Sequence, residues 1–457
     1  MQTNVIVLAA GKGTRMRSNR AKVLHCIGGL PMISHVLKAS LALQPSSVGV
    51  VLGHQADAIE NYIGDIDSRI VRIDQVEQRG TGHAVQVAVA GLPDSAVTLV
   101  VYGDVPLIQQ QTLEAAIAAA EQGNVGLVTS VFADPAQLGR IVRGTDNAIQ
   151  RIVEFKDATS KEQQICEINS GILAAPTSLL KGWLDQVRPN NQQGEYYLTD
   201  IIAMAVADGV AVDGIFATSP VEVIGVNDRV QLAELERAYQ QQQVHALMLA
   251  GVSFADPQRV DIRGTLTVGR DCFIDINTVF EGEVILADNV HIGPNSIISD
   301  SVLGDGVYVK PNTLVEGAVV EKACELGPFA RIRPGTELGA GVKIGNFVEV
   351  KKSKLARGVK AGHLAYLGDA TIGAECNIGA GTVTCNYDGT NKHPTIIGEN
   401  VFVGTNSTLV APLNIGDEAF VAAGSTITKT VENSHLAVGR GKQRNISGWT
   451  SPVKRDK

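Results

Sequence analysis

A glycine-rich turn near the N-terminus is the first group of residues that could do chemistry. Apolar residues 4–8 run into residues 9–16, AAGKGTRM. A buried strand that ends in such a turn presents backbone N–H groups to a phosphate, with no Cβ to block its approach. Lys12, Arg15 and Lys22 add positive charge suited to a polyphosphate. The alternative is a tight turn with solvated basic residues.

The turn matches neither of two familiar phosphate-binding motifs. Gly11-x-Gly13 lacks the third glycine of the dinucleotide fingerprint, and no GK[ST] triplet follows at P-loop spacing. Asp104 follows another apolar run, 97–101, and could be a turn or helix-cap residue. Carboxylate oxygens are also natural ligands for the Mg²⁺ that accompanies triphosphates, so we predict that Asp104 lies at the same site as the turn.

Strand and helix patterns alternate around these residues. The patterns predict strands over 4–8, 48–52 and 97–101, and helices over 31–42, 56–63 and 80–90. This alternation is typical of an α/β, doubly wound, mostly parallel sheet, in which ligands bind beyond the carboxyl ends of the strands.

His363 is the centre of a second candidate site. Imidazole titrates near neutrality and could take a proton from an attacking amine, although an isolated histidine is usually an ordinary surface residue. Other polar residues follow it in the chain: Tyr366, Asn377, Asn386, Tyr387 and Lys392.

An aliphatic ladder at spacing six predicts the element that positions this second site. Its rungs are Ile262, Val268, Ile274, Phe280, Leu286, Ile292, Ile298, Leu303, Val309, Val315, Val320, Leu326, Ile332, Leu338, Ile344, Val350, Ile397, Val403, Leu409, Ile415, Val421 and Ile427. Several rungs precede a glycine, as in Ile344-Gly345, which could serve a turn or a close backbone approach. The period indicates an all-β domain, a parallel β-helix. The ladder is interrupted between Val350 and Ile372 and between Thr384 and Ile397, and we expect both interruptions to be functional loops.

Length and composition agree with two domains. The chain has 457 residues, 48 of them glycine, and a formal charge of −8, which gives no basic surface for nucleic acid. Helical periodicity predicts a linker over 229–250 between domains at 1–228 and 251–457. The N-terminus lacks the charged and then apolar pattern of a signal peptide, and no apolar run is long enough to span a membrane, so we expect a cytoplasmic protein without membrane insertion. The six cysteines are dispersed, and we expect them to be reduced thiols.

Both halves resemble one known family. Residues 8–16 with Lys22-Val-Leu-His25 are similar to the signature of sugar-phosphate nucleotidylyltransferases. Joined to a hexapeptide β-helix, the whole chain resembles the bacterial bifunctional N-acetylglucosamine-1-phosphate uridylyltransferase/glucosamine-1-phosphate N-acetyltransferases. The resemblance implies a Rossmann-like nucleotidylyltransferase domain, a linking helix and a left-handed parallel β-helix. It further implies homotrimers with acetyl sites between neighbouring chains.

The resemblance also implies residues for the uridylyl site. Those at the UTP nucleotide and its phosphates are Leu8, Ala9, Ala10, Gly11, Arg15, Lys22, Gln75, Gly80, Thr81, Tyr102, Gly103 and Asp104. Gly139, Glu154 and Asn169 would meet the sugar, and Asp104 and Asn227 would hold Mg²⁺. The family usually has proline where this chain has Ala21, which puts the rigidity of the loop in question.

For the acetyl site the resemblance implies His363 as the base. It assigns Arg333, Lys351, Tyr366, Asn377 and Lys392 to the sugar phosphate, and Ala380, Asn386, Tyr387, Thr405, Ala423 and Arg440 to acetyl-CoA. Asn386 and nearby backbone would steady the oxyanion. Thr405 stands where serine is common, and the basic tail, with Lys442, Arg444, Lys454, Arg455 and Lys457, is either solvated or contacts CoA.

We therefore expect a bifunctional transferase of UDP-N-acetylglucosamine synthesis that uses glucosamine 1-phosphate, acetyl-CoA, UTP and Mg²⁺. Two alternatives remain open. One is a single-activity nucleotidylyltransferase whose β-helix serves only oligomerisation or regulation, and the other is a non-enzymatic assembly subunit. The first predicts no need for His363, Lys392 and Arg440, and the second predicts loss of the Gly11 to Lys22 loop, which is present.

Overall fold

A computed structural model of the protein describes residues 1–451. The chain forms two compact units, Met1–Tyr239 and Gln240–Lys457. The predicted connecting helix is present as one helix, Arg229–Leu249, which contributes residues to both units. Lys454, Arg455 and Lys457 of the basic tail lie outside the described residues. Over residues 1–451, every helix is too short or too polar to cross a membrane, and all six cysteines are free thiols.

The first unit contains strands β1 to β11 and most of the helices. The strands are β1 Thr3–Leu8, β2 Cys26–Ile27, β3 Leu30–Pro31, β4 Ser47–Leu52, β5 Ile70–Asp74, β6 Val97–Tyr102, β7 Val125–Val131, β8 Arg140–Arg143, β9 Ile149–Val153, β10 Glu167–Pro176 and β11 Val212–Phe216. The helices are α1 Met32–Ala42, α2 Ala56–Ile63, α3 Thr81–Val89, α4 Gln110–Glu121, α5 Thr177–Leu184, α6 Asp200–Ala207 and α7 Arg229–Leu249. The predicted strands and helices are confirmed, to within one or two residues at their ends.

The main sheet has nine strands; seven follow the order β11-β7-β10-β6-β1-β4-β5, and β8 and β9 extend from β10. Strand β10 runs antiparallel to its neighbours β6 and β7. Along β1, Val5 and Val7 belong to one apolar cluster, whereas Ile6 and Leu8 belong to another. Alternate side chains of a strand point to opposite faces, so both faces of the sheet are covered. The doubly wound prediction is therefore confirmed.

The second unit is a left-handed parallel β-helix whose strands form long walls. Within residues 1–451, one wall has 11 strands: Ser253–Phe254, Phe273–Ile274, His291–Ile292, Tyr308–Val309, Glu325–Leu326, Lys343–Asn346, Lys360–His363, Asn377–Ile378, Phe402–Val403, Phe420–Val421 and Leu436–Ala437. A 17-stranded sheet forms the rest: Val260–Val268, Thr278–Leu286, Ile297–Ser299, Val302–Leu303, Leu314–Glu316, Ala318–Val320, Arg331–Ile332, Thr336–Leu338, Glu349–Lys351, Lys354–Leu355, Tyr366–Gly368, Ala370–Ile372, Val383–Cys385, Thr395–Ile397, Thr408–Val410, Leu413–Ile415 and Thr426–Ile427.

The aliphatic ladder forms the interior of this β-helix. Every predicted rung is buried except Val268, which is half-buried against the same core. The glycines that follow rungs permit close backbone approach: a Cβ on Gly373 would lie 2.4 Å from the Gly398 carbonyl oxygen. Gly327, which follows the rung Leu326, has a positive φ of +93°, whereas the other positive φ angles include corner residues such as Asn295 and Asn312. For glycines such as Gly373, close approach is the role that the structure supports.

The prediction that the ladder is interrupted between Val350 and Ile372 is wrong. Leu355, Ala361 and Leu367 are buried and continue the five- and six-residue steps, and their strands stack in register on the preceding coils. The step was missed because alanine is a small rung and because polar residues surround Leu355. His363 therefore ends a wall strand and does not lie on an inserted loop.

The second interruption is a true insertion. The segment 386–394 leaves the wall and folds back on itself through an antiparallel bridge between Tyr387 and Lys392. The wall then resumes with Thr395–Ile397, which pairs with Ala370–Ile372. The structure thus confirms an insertion at this point of the coil.

A substitution of a buried rung tests the role of the ladder. Ile332 is fully buried, so Ile332→Ala should lower the free energy of unfolding of the second unit by about 2–5 kcal/mol. Val319→Ala is the matched control, because Val319 is 51% exposed; it should change stability by no more than about 0.5 kcal/mol. Urea unfolding followed by circular dichroism measures both, and equal effects would contradict the ladder as core.

Candidate active sites

The glycine-rich turn follows β1 at the carboxyl end of the sheet. Leu8 lies opposite Val51 of β4 and Tyr102 of β6, so the segments after these three strands share one edge. Gly13 adopts a φ of +59°, and a Cβ there would lie 2.7 Å from the Lys22 Cβ. Glycine is therefore required at position 13 for both its backbone angle and its close contact.

A cavity of about 460 Å³ opens beside the turn. Ten of the predicted uridylyl-site residues line it: Leu8, Ala9, Ala10, Gly11, Lys22, Gln75, Gly80, Thr81, Tyr102 and Asp104. Lys12, predicted from its charge to lie near a polyphosphate, also lines it, as do Gln78 and Glu195, for which the sequence predicted no role. Gln78 Nε2 donates to the Ala10 carbonyl, 2.9 Å away, and so ties the 75–80 segment to the glycine-rich turn.

Lys22 is the centre of a polar cluster at this cavity. Its ammonium group forms an ion pair with the Asp104 carboxylate and lies 3.5 Å from Asn227 Oδ1. Arg15 donates to the same Asn227 oxygen at 2.9 Å. The structure therefore adds Arg15 and Asn227 to the site through side-chain contacts, although neither lines the cavity.

Asp104 and Asn227 fit the predicted magnesium site. Both present oxygens to the same ammonium group, and hard oxygen ligands are what Mg²⁺ prefers. In the part of the chain that the structure describes, no three His, Cys, Asp or Glu side chains form a metal-binding group. The protein would thus supply part of the coordination, as is usual for magnesium that also binds substrate phosphates.

The predicted sugar residues form a neighbouring group. Asn169 N–H donates to the Gly139 carbonyl at 2.9 Å, and a Cβ on Gly139 would lie 3.4 Å from Glu154 Oε2. Burial raises the pKa of Glu154, against the effect of a 3.3 Å hydrogen bond from Thr199. The phenol of Tyr102 is affected by both the Lys22 cluster and the sugar residues. Burial raises its pKa most, and the negative charges of Asp104 and Glu154 raise it further.

Ala21 keeps the conformation expected of a proline. Its φ is −53° and its ψ is 137°, which lies within the range that a proline ring imposes on φ. The Lys22–Leu24 turn follows directly, with Leu24 N–H donating to the Ala21 carbonyl at 3.0 Å. The backbone at Ala21 is therefore one that a proline could also adopt.

Coil register aligns several residues of the second site. Lys360, Asn377, Phe402 and Phe420 begin successive strands of the 11-stranded wall and lie opposite one another. The residues three positions after these four are His363, Ala380, Thr405 and Ala423, in the same order. Arg440 Nη1 donates to the Ala423 carbonyl at 2.7 Å and extends this column by one coil. One corner of the β-helix thus gathers the predicted base and four of the six predicted acetyl-CoA residues.

Three cations lie past this corner. Lys351 and Lys392 are within hydrogen-bonding distance of each other, and this contact, together with the charge of Arg333, lowers the pKa of Lys351. Arg333 Nη1 donates to Glu349 at 2.8 Å, whereas its Nε is buried with no hydrogen-bond partner in the described part of the chain. Two lysines in contact, with an unpaired Arg333 N–H donor nearby, are suited to a phosphate.

The inserted segment 386–394 is anchored beside these cations. The Asn386 amide donates to the Asp369 carboxylate and, at 3.4 Å, to the Tyr366 hydroxyl. Tyr387 is 60% exposed, and its hydroxyl donates to the Gly389 carbonyl at 2.6 Å. His393 contacts Asp388 at 2.7 Å and holds the pKa of that carboxyl well below its usual range.

Asn377 is not brought to the cationic group. It lies on the 11-stranded wall, in register with Lys360 and Phe402, whereas Lys351 and Tyr366 lie on the 17-stranded sheet. Asn346 was missed by sequence reasoning, although it contacts the predicted base: its Oδ1 is 2.6 Å from His363 Nδ1. The sequence does hold one indication of this contact: Asn346 lies 17 residues before His363, which is one coil of the β-helix.

The raised pKa of Glu154 gives a pH-dependent prediction. The pKa of Glu154 in the folded protein lies above its ordinary value of 4.5, so the folded state prefers the protonated carboxyl. The free energy of unfolding therefore falls as the pH rises and this carboxyl ionises. Glu154→Gln, which cannot ionise, should therefore gain stability over the wild type between pH 4 and pH 8. Glu162 is the opposite control, because hydrogen bonds from Thr159 lower its pKa. Glu162→Gln should lose stability over the same range, and parallel stability–pH curves for all three proteins would contradict the assignment.

The family comparisons match both units of the chain. The model of the MobA-like NTP transferase domain matches residues 5–248. The bacterial transferase hexapeptide (six repeats) matches 266–300 and 317–352, and the hexapeptide repeat of succinyl-transferase matches 394–429.

Full-length relatives carry one name. The "Bifunctional protein GlmU" of Marinobacter nauticus is 52% identical over 99% of both chains. The proteins of the same name from Stutzerimonas stutzeri and Pseudomonas putida are 52% and 51% identical, each over 100% of both chains. This chain therefore belongs to the GlmU family of bifunctional proteins, with a nucleotidyltransferase domain followed by a hexapeptide-repeat acetyltransferase domain.

Proposed function

We propose that the chain makes UDP-N-acetylglucosamine in two steps, at the two sites described above. The β-helix would transfer acetyl from acetyl-CoA to glucosamine 1-phosphate. The first unit would then transfer a uridylyl group from UTP to N-acetylglucosamine 1-phosphate and release pyrophosphate. The observation that carries this proposal is the cationic group Arg333, Lys351 and Lys392 just past the corner from His363. A phosphorylated amine needs both a base and an anion pocket, whereas a β-helix used only for assembly needs neither.

In the acetyl step, the amine of glucosamine 1-phosphate attacks the thioester carbonyl while His363 removes its proton. Arg333, Lys351 and Lys392 hold the phosphate, which relieves the repulsion between the two lysines. Ala380, Thr405, Ala423 and Arg440 lie along the corner that takes acetyl-CoA. The Asn386 amide already donates to Asp369 and Tyr366, so its role is to hold Tyr366 in place. The oxyanion is therefore stabilised by backbone N–H groups.

In the uridylyl step, a phosphate oxygen of N-acetylglucosamine 1-phosphate attacks the α-phosphorus of UTP in line. Lys22 and Arg15 offset the negative charge of the phosphates, and Glu154 and Asn169 orient the sugar. Mg²⁺ held by Asp104 and Asn227 would supply further charge neutralisation when bound. Catalysis here is positioning and electrostatics.

We also propose that the chain forms a homotrimer through its β-helix and works in the cytoplasm. The position of Asn377 supports the first point, since it lies on a different sheet from Lys351 and Tyr366 and could serve the site of a neighbouring copy. The second point rests on the substrates, because UTP and acetyl-CoA are cytoplasmic metabolites.

Paired variants separate this proposal from a single-activity enzyme. His363→Ala should reduce CoA release by roughly 10²–10⁴-fold and leave uridylyl transfer to N-acetylglucosamine 1-phosphate unchanged. Asp104→Ala should do the reverse. His291→Ala is the matched control, because His291 lies on the same wall, stacked on Phe273 and edge-on to Tyr308. It should alter neither activity. If CoA release survives in His363→Ala, the acetyl site is assigned wrongly.

A further inference from the structure

Two strands of the 11-stranded wall are longer than the rest. Lys343–Asn346 and Lys360–His363 have four residues each, whereas the other described strands of this wall have two. The extra length brings Asn346 directly opposite His363 in the parallel register. The wall is therefore extended at the one place where it carries the proposed base.

Close packing of the two coils makes this extension possible. A Cβ on Gly345 would lie 1.8 Å from the Gly362 carbonyl oxygen, so only glycine lets the two backbones approach so closely. The residues that follow the pair, Phe347 and Leu364, have φ angles of +57° and +51°. Bulky residues rarely adopt this conformation, which indicates that the surrounding structure fixes the corner.

The contact between the two side chains is short and directional. His363 Nδ1 lies 2.6 Å from Asn346 Oδ1. An amide oxygen only accepts a hydrogen bond, so with Oδ1 facing the ring this contact pairs with a proton on Nδ1. The other nitrogen, Nε2, is then left without a proton and able to act as a base.

We propose that Asn346 is a positioning residue for acetyl transfer, which selects the His363 tautomer whose Nε2 is the proton acceptor. This inference rests on the proposed role of His363 as the base. As the amine nitrogen bonds to the thioester carbon, Nε2 takes the amine proton. When the carbon–sulfur bond breaks, Nε2–H returns that proton to the CoA thiolate. Asn346 touches neither substrate and acts only through the imidazole.

Other titratable groups lie near this pair in the chain. Lys343 and Lys360 lie at the start of the same two strands, and Tyr366 lies just past the corner. None of the three has a hydrogen bond to His363. Removal of the Asn346 amide should therefore leave the imidazole free to exchange tautomers.

Two variants of Asn346 test the proposal on the full chain. Asn346→Ala should lower kcat for acetyl transfer roughly 10- to 100-fold with little change in KM. Asn346→Asp, which keeps the shape, places a carboxylate against the imidazole and should move the acid limb of the pH–rate profile to higher pH. Asn414→Ala is the control, since Asn414 is exposed on a strand of the other sheet. It should leave kcat and the profile unchanged.

Imidazole ¹⁵N chemical shifts give a readout that does not depend on activity. The wild type should show His363 protonated at Nδ1, and Asn346→Ala should show a mixture of tautomers. A proton on Nε2 in the wild type, or an unchanged kcat and pH profile in both variants, would overturn the proposal. Loss of acetyl transfer in His363→Ala alongside normal Asn346 variants would refute this inference alone. Normal activity in His363→Ala would refute the proposed function itself.

Discussion

Parallel strand register is the constraint on which both sites depend. In the first unit, pairing of β1 with β4 and β6 aligns Leu8, Val51 and Tyr102, so the segments that follow share one edge. In the second unit, the same kind of pairing repeats coil after coil and aligns positions 17, 18 or 25 residues apart. Backbone hydrogen bonds fix this alignment, and a slip of one residue would turn every aligned side chain to the opposite face.

The two sites treat charge in different ways. At the first site, the Lys22 ammonium is paired with the Asp104 carboxylate, so the proposed phosphate would have to replace one partner by another. At the second site, Lys351 and Lys392 repel each other, as the lowered pKa of Lys351 indicates. The phosphate of the proposed substrate would relieve that repulsion. Half-buried Glu154 is the reverse case, a carboxyl whose charged form is disfavoured by burial.

Much of this architecture follows from local sequence patterns. Alternating strand and helix periods predicted the doubly wound sheet, and the six-residue ladder predicted the β-helix, because both patterns record which side chains face a core. The coil at Leu355, Ala361 and Leu367 was missed, since a small rung among lysines carries little hydrophobic signal. Contacts across coils were also missed. Asn346 meets His363 through a register that is visible only once the strands are paired, and the packing of Gly345 on Gly362 depends on the same pairing.

The central claim is that two separate sites act in sequence on one sugar phosphate, and its most direct test follows pyrophosphate release by the unmodified chain. With UTP, Mg²⁺ and glucosamine 1-phosphate, pyrophosphate should appear only after acetyl-CoA is added, and CoA release should precede it. With N-acetylglucosamine 1-phosphate as substrate, pyrophosphate should appear without acetyl-CoA. Equal pyrophosphate release from both sugar phosphates in the absence of acetyl-CoA would contradict the account.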